Sequence, residues 1–309
     1  MNTKKSRLAP SPTGALHLGN AFAFVVNWAL ATKNDWELLF RMEDLDGPRK
    51  KMETIQESTD ILRWLGLDWN GSVHIQSEDL TPCKSALEIL IQKNKAYHCQ
   101  LTRAEISEAS QAPHAMYDAT GSSIRPINIK THNDTYKNQN TNWRFSASGA
   151  TRTIHDELRG EITFQVEEDF VIWTKSNMPS YQLAVVVDDH RQGVTDVVRG
   201  SDLLQSASWQ EEIYETLGWQ KPRWWHLPLI VGQDGKRLAK RHGDSRISTY
   251  KTLGVPSERI IGLIAMWCGV TERLLPLQLD TIIQEFSLEN MQHSNITFSQ
   301  KEEQWLLDF

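Results

Sequence analysis

The sequence predicts an α/β fold with a doubly wound parallel sheet. Three observations predict it. Residues 6–9 read as a short strand that runs into a Pro- and Gly-containing loop and then into a helical pattern from about 19 to 32. Residues 37–42 read as a second strand directly after that helix. Residues 183–187 form a continuous apolar run that stops at Asp188 and Asp189, the profile of a strand buried on both faces.

The remaining elements follow in order. Residues 53–65 and 80–93 carry helical periodicity. From 107 to 149 the chain turns rich in Asn, Ser, Thr, Gln and His and poor in aliphatics, which reads as a loop-rich insertion. Short strands are expected at 162–166 and 170–175, and another strand end at 196–199. Residues 203–217 read as a helix and 227–231 as a short buried strand. A glycine- and base-rich loop spans 232–243, and helices such as 259–268 and 281–286 follow.

Composition narrows the function classes. A chain of 309 residues can build one large or two medium domains. No run of 18 or more apolar residues occurs, so no membrane span is expected. The first seven residues are polar and carry no apolar signal region, so a cytoplasmic protein is expected. The net charge of −6 is unlike a generic nucleic-acid binder, though a local basic groove remains compatible with it. Three irregularly spaced cysteines, Cys83, Cys99 and Cys268, suit a reducing compartment rather than a disulfide framework.

Two segments suit phosphate. The first runs from Arg7 to Asn20, where a strand ends, prolines stiffen a loop, and a helix start offers unpaired N–H groups and its dipole. His17 and Asn20 add donors there. The second runs from Asp234 to Gly243 and carries four cations and a His between glycines. Such a loop can meet polyphosphate charge that grows in a transition state. Taken singly, the first fits an ordinary turn with a capping His, and the second a solvated charged turn.

Together the two segments resemble the "HIGH" and "KMSKS" signatures of the class I aminoacyl-tRNA synthetases. His17-Leu18-Gly19-Asn20 stands for the first, with Asn at its last position, and Arg237-Leu238-Ala239-Lys240-Arg241 for the second, with Ala for Ser. Within that class the chain resembles the glutamate branch, through Arg7-Leu8-Ala9-Pro10-Ser11-Pro12-Thr13-Gly14, the stretch from Arg41 to Asp46, and those from Tyr181 to His190 and Gly193 to Asp202. The resemblance implies a Rossmann-like catalytic domain in two halves, 1–96 and 176–243. It also implies an inserted acceptor-binding-like subdomain over 97–175 and a short helical C-terminal region over 244–309.

The resemblance places Arg7, Ala9, Ser11, Glu43, Tyr181 and Arg199 at a glutamate site, and Pro10, His17, Gly19, Asn20, Arg237 and Lys240 at an ATP site. The chemistry agrees. Glutamate needs two cationic sites and one anionic site, and Arg7 and Arg199 can each grip a carboxylate bidentately. Glu43 can pair with the α-ammonium, while Tyr181, on the strand side, and Ser11 offer hydroxyls. Each residue alone would also fit a surface ion pair or a satisfied core group. His17 and Lys240 are expected to act as the catalytic pair, one holding phosphates and the other meeting pyrophosphate charge. Mg²⁺ is expected to arrive with ATP. Asp44 and Asp46 are expected to hold the glutamate-site loop or a helix start, and Asp188, Asp189 and His190 to scaffold the pocket rim at a strand end.

About 66 residues follow Gly243, too few for an anticodon-reading domain. In this the chain resembles the glutamyl-queuosine tRNA(Asp) synthetases, which attach glutamate to queuosine at the wobble position of tRNA(Asp). Val185 and the run from Ala239 to Gly243 are similar to that family as well. The implied partners are glutamate, ATP and queuosine-bearing tRNA(Asp), for a monomer with no membrane contact. Those relatives activate glutamate without tRNA, whereas ordinary glutamyl-tRNA synthetases need it bound. The family's zinc site is eroded: Cys99 and Tyr117 stand, but Leu101 and Gly121 replace cysteines, and His98 or His114 would have to be recruited. No zinc is therefore expected. The basic cluster from Lys236 to Arg246 and Arg103, Arg125, Arg144 and Arg152 could contact phosphates, while most of the twelve tryptophans read as core. Three alternatives stand beside this reading. They are an ordinary glutamate–tRNA ligase core charging tRNA(Glu), a non-catalytic glutamate or nucleotide sensor, and another nucleotidyltransferase of the same superfold.

Overall fold

The computed structural model describes residues 3–11, 16–45, 51–99, 141–236, 238 and 245–309, with backbone alone for 51–53. Strand β1 (Lys5–Leu8) leads into helix α1 (Leu18–Lys33) and strand β2 (Glu37–Met42), with β1 and β2 parallel. Helix α2 (Lys51–Trp64) returns to β3 (His74–Ile75), parallel to β2, and α3 (Thr81–Gln92) follows. β1, α1, β2, α2 and α3 lie within two residues of their expected bounds, because each carries a clear period bounded by turn residues, whereas the two-residue β3 is too short to show one.

Strands β4 (Ala96–Cys99), β5 (Asn142–Phe145) and β8 (Phe170–Trp173) form an antiparallel sheet of their own. Between β5 and β8 lies the hairpin β6 (Thr151–Asp156) and β7 (Gly160–Gln165). This hairpin joins a different sheet, of order β7-β6-β10-β9. Its other members are β9 (Asp196–Gly200) and β10 (Arg223–Leu227), which run parallel in register, with His226 beside Arg199.

Helix α4 (Tyr181–Gln192) precedes β9, and helix α5 (Leu204–Leu217) joins β9 to β10. The apolar run 183–187, expected to be a strand, is therefore the middle of α4. Leu183 to Asp189 are all buried, so the helix shows no polar face from which a 3.6-residue period could be read. Its ends did carry signals. Ser180 is extended at the N-cap after Pro179, and Gly193 closes the C-terminus in the left-handed conformation at φ 70°.

The expected strand at 227–231 is also divided. β10 ends at Leu227, and after Pro228 and Leu229 a separate β11 (Ile230–Val231) pairs with β12 (Ile296–Thr297). Proline cannot donate to a ladder, which ends one strand and lets the chain turn toward another partner. Helices α6 (Ile247–Thr252), α7 (Ser257–Trp267), α8 (Leu279–Glu285) and α9 (Gln300–Leu307) complete the chain.

Burial divides between two apolar clusters. One gathers α1, β2 and α2 with the C-terminal helices, and the other α3, β5, β8, α4 and α5. The site lies where they meet. β1 lies beside β9, with Thr195 N–H donating to the Lys5 carbonyl at 2.9 Å. From β1 the chain winds outward to β2, and from β9 it winds the other way to β10. The carboxyl ends of such a divergent pair form the ligand crevice of open α/β sheets. Among the described residues no helix is long and apolar enough to cross a membrane.

Candidate active site

A cavity of about 310 Å³ opens at the carboxyl ends of β1 and β9. Arg7, Ala9, Pro10, Ser11, His17, Gly19, Asn20, Glu43, Tyr181 and Arg199 all line it. Every expected site residue within the described chain is thus brought to one cavity; Arg237 and Lys240 lie outside the described residues, as do Asp46, Tyr117 and His114.

Arg7 is placed by β1, whose end is tied to α1 by the buried Asn27. That amide donates to the Arg7 carbonyl at 2.9 Å and accepts from the Ser6 hydroxyl at 2.8 Å. The Arg7 guanidinium, 4% exposed, donates through Nε to Asp189 at 3.1 Å. Arg41 donates to the same Asp189 oxygen at 2.7 Å and to Glu43 at 3.0 Å. Burial alone would raise the Asp189 carboxyl, but Arg41 and Arg7 hold it below its ordinary value. Glu43 ends higher than an ordinary glutamate, because burial outweighs the pull of Arg41 and Arg7. Asp189 is therefore the base of the Arg7 wall, in the last turn of a helix rather than at a strand end.

Its neighbours part from it. Asp188 accepts from the cavity-lining Gln76 at 2.7 Å and pairs with Arg191 at 3.0 Å. His190 is exposed and stacks on Trp219 at 3.9 Å, away from the cavity. Asp44 braces the exit of β2, accepting from the Ser77 N–H and hydroxyl at 2.8 and 2.6 Å.

Tyr181 stands at the first residue of α4, not on a strand, and burial raises its hydroxyl above the ordinary value. Arg199 is the next-to-last residue of β9 and is 6% exposed. It donates through Nε to His226 at 3.0 Å, through one terminal nitrogen to Gln210 at 2.9 Å, and through the other to the Leu203 carbonyl at 3.2 Å. Its plane lies over the Trp224 ring at 4.7 Å. Burial lowers its pKa from the ordinary value, with Arg7 adding to the effect. Guanidinium stays charged at any working pH.

The helix terminus differs from expectation. His17 caps α1, its Nδ1 accepting from Gly19 N–H at 3.2 Å, while Asn20 accepts from the His17 N–H at 3.1 Å. Leu18 N–H donates to the Ser245 carbonyl, and Asn20 and Ala21 N–H to the His17 carbonyl. The first-turn amides expected to face a ligand unpaired are therefore already bonded. The terminus still offers its dipole, and Nδ1 as acceptor leaves Nε2 of His17 to carry the proton. A Cβ at Gly19 would press the His17 ring at 3.2 Å, so glycine lets the ring fold back over the terminus. Gly200 is tighter still, since a Cβ there would meet Asp202 Oδ1 at 2.7 Å.

A family model for class I (E and Q) tRNA synthetase catalytic domains matches residues 4–305. The chain belongs to that family. A glutamyl-Q tRNA(Asp) synthetase of Rhodopirellula baltica is 36% identical over 96% of this chain and 93% of its own length. A glutamate–tRNA ligase of Nitrobacter hamburgensis is 37% identical over 81% of this chain and 53% of its own length, so the chain spans about half of such relatives. A solved glutamate tRNA ligase of Elizabethkingia meningosepticum, in complex with its amino acid, has the same fold, with a TM-score of 0.81 at 24% identity over 99% of this chain and 69% of that one.

In this class I synthetase domain, Gln76 lines the cavity and Arg41, Gln210, His226 and Asp156 stand behind its lining residues, with no motif in the sequence to give them a role. His226, alone between tryptophans and an apolar run, was the one visible signal among them. In the insertion, His98 is buried, bonds Thr141 at 2.7 Å and packs at a tilt against Trp143, and Cys99 is buried beside it.

Proposed function

We propose that the chain is a ligase that joins glutamate to AMP from ATP and passes the glutamyl group to queuosine of tRNA(Asp). The observation that carries the activation step is the composition of the cavity lining: two buried arginines, a partly buried glutamate and a tyrosine converge at the sheet's switch point. A dicarboxylate with one ammonium group matches that set in sign and number. Arg7 and Arg199 would each take a carboxylate, and Glu43 the ammonium, whose positive charge would offset the burial that now raises Glu43. Ala9 and Ser11 would line the same subsite.

The reaction asks little covalent help. A glutamate carboxylate oxygen bonds the α-phosphorus of ATP as the bond to pyrophosphate breaks, and the nucleophile is already an anion. Positioning and charge stabilisation then carry the rate. Pro10, His17, Gly19 and Asn20 would face the nucleotide, and His17 would donate through Nε2. Arg237 and Lys240 would meet the departing pyrophosphate, and losing such a contact costs roughly 2.7–4 kcal/mol. Mg²⁺ would enter on the phosphates. Support for the acceptor comes from the 36% identity to the glutamyl-Q relative over 96% of this chain.

Glutamate-dependent ATP–pyrophosphate exchange on purified protein tests this. Exchange without tRNA, a raised glutamate KM in Arg199→Ala and lost exchange in Lys240→Ala are expected. Exchange that appears only with tRNA(Glu) would instead point to an ordinary glutamate–tRNA ligase.

A further inference from the structure

We propose that Asp156 and His226 are positioning residues for Arg199, a buried relay that holds the guanidinium plane toward the amino-acid end of the cavity. This rests on reading that cavity as the glutamate site.

The bonding admits one arrangement of protons. Arginine Nε is always a donor, so His226 Nε2, 3.0 Å from it, must accept. The ring proton then sits on Nδ1, which points at Asp156 Oδ2 at 2.7 Å. Asp156 is itself saturated. The same oxygen accepts the His226 N–H at 3.0 Å, and Oδ1 accepts Leu158 and Arg159 N–H at 3.1 and 2.9 Å. Both side chains have no exposure to solvent. Arg159 closes the far side by donating through Nε to the His226 carbonyl at 2.8 Å.

Charge agrees with this arrangement. Burial first, and then Arg199 and Arg159, push His226 down to about 4 against the pull of Asp156, so the ring is neutral at pH 7. Burial would raise Asp156, but the bond to His226 brings it below its ordinary value. A carboxylate thus acts on Arg199 through a neutral ring, fixing its tautomer without neutralising the guanidinium charge. A carboxylate in direct contact would compete with a substrate carboxylate; a neutral nitrogen does not.

The relay also accounts for the β6–β7 hairpin. β6 meets β10 in parallel only at its last residue, Asp156 beside Trp224. That single pairing delivers the carboxylate behind His226.

Asp156→Asn is the sharpest test, because it keeps shape and removes the demand for a proton on Nδ1. The asparagine amide can donate to Nδ1, which moves the ring proton to Nε2 and sets two donors against each other at Arg199. In glutamate-dependent exchange, assayed with and without tRNA, the glutamate KM should rise about tenfold or more. The ATP KM and kcat at saturating glutamate should stay within about twofold, and His226→Gln, with both an acceptor and a donor, should restore most of the loss. Selective ¹⁵N-histidine NMR should show His226 protonated on Nδ1 in the parent and on Nε2 in Asp156→Asn. An unchanged glutamate KM in Asp156→Asn and His226→Leu would overturn the proposal, as would a parent ring protonated on Nε2. Proportional loss in both KM values and kcat would mark a merely structural role and overturn it too. If the parent shows no glutamate dependence in either assay, the glutamate reading fails, and the NMR result still decides the relay.

Discussion

The two arginines that line the cavity, one on β1 and one on β9, are held in opposite ways. Arg7 sits in a cluster of formal charges, sharing Asp189 with Arg41, which in turn holds Glu43. Arg199 is held by neutral acceptors: a histidine nitrogen, a glutamine oxygen and a backbone carbonyl. The difference shows how a buried site can be both stable and hungry for an anion. In the first cluster two guanidinium groups face two carboxylates, which offsets most of their desolvation. Arg199 keeps its positive charge largely unspent, and Asp156, the carboxylate behind its histidine partner, is one imidazole ring away. A ligand with one more negative than positive charge would complete the set.

The comparison breaks most visibly at Asp189. Asp189→Asn should destabilise the fold by about 3–5 kcal/mol in chemical denaturation, because it leaves Arg7 and Arg41 buried without their shared anion. A loss under ~1 kcal/mol would mean that Glu43 alone can hold Arg41 and that Arg7 needs no base.

Acid should act on the Arg199 side. The folded His226 titrates near 4 against 6.5 for an ordinary histidine. Between those values the unfolded chain binds the extra proton, so stability falls as pH drops through that window, by up to about 3 kcal/mol from this group. Asp156 and Asp189, both held low, extend the loss below their ordinary 3.8. Glu43, raised, acts with the other sign, favouring the fold at low pH and losing that share as pH rises through its folded value. Denaturation at pH 7 and pH 4.5 reads the net slope. In His226→Gln the part between 6.5 and 4 should disappear, and a slope unchanged in that variant would move the effect elsewhere.

The smallest expected effect separates cap from chemistry at His17. His17→Ala should cost roughly 1 kcal/mol, the usual worth of an N-cap, while His17→Asn should keep the cap and the melting temperature. If the ring also serves the nucleotide, exchange should fall in both variants. Full activity in His17→Asn would reduce His17 to its capping role.

Most cavity residues were legible because they sit near chain signals that do not need the fold. Arg7 ends a strand before a Pro and Gly loop, His17 opens a helix, and Glu43 leaves a strand. The strand assigned to 183–187 was lost for a physical reason: a helix buried all round shows no period, and its length lies beyond the apolar run. The sequence places Asp189 near the cavity but cannot show its partner, because Arg7 is 182 residues away in the chain.

The sequence by itself determined which groups the chain can offer: two arginines able to grip a carboxylate, a glutamate between them in the chain, and a strand–turn–helix beginning. Only the tertiary structure decided how those groups are charged and aimed. The Asp189 bridge, the bonded helix terminus and the Asp156–His226–Arg199 relay join residues from separate strands and helices. A hydrogen bond fixes a proton's position only when both partners are in place and water is excluded, and packing alone brings that about.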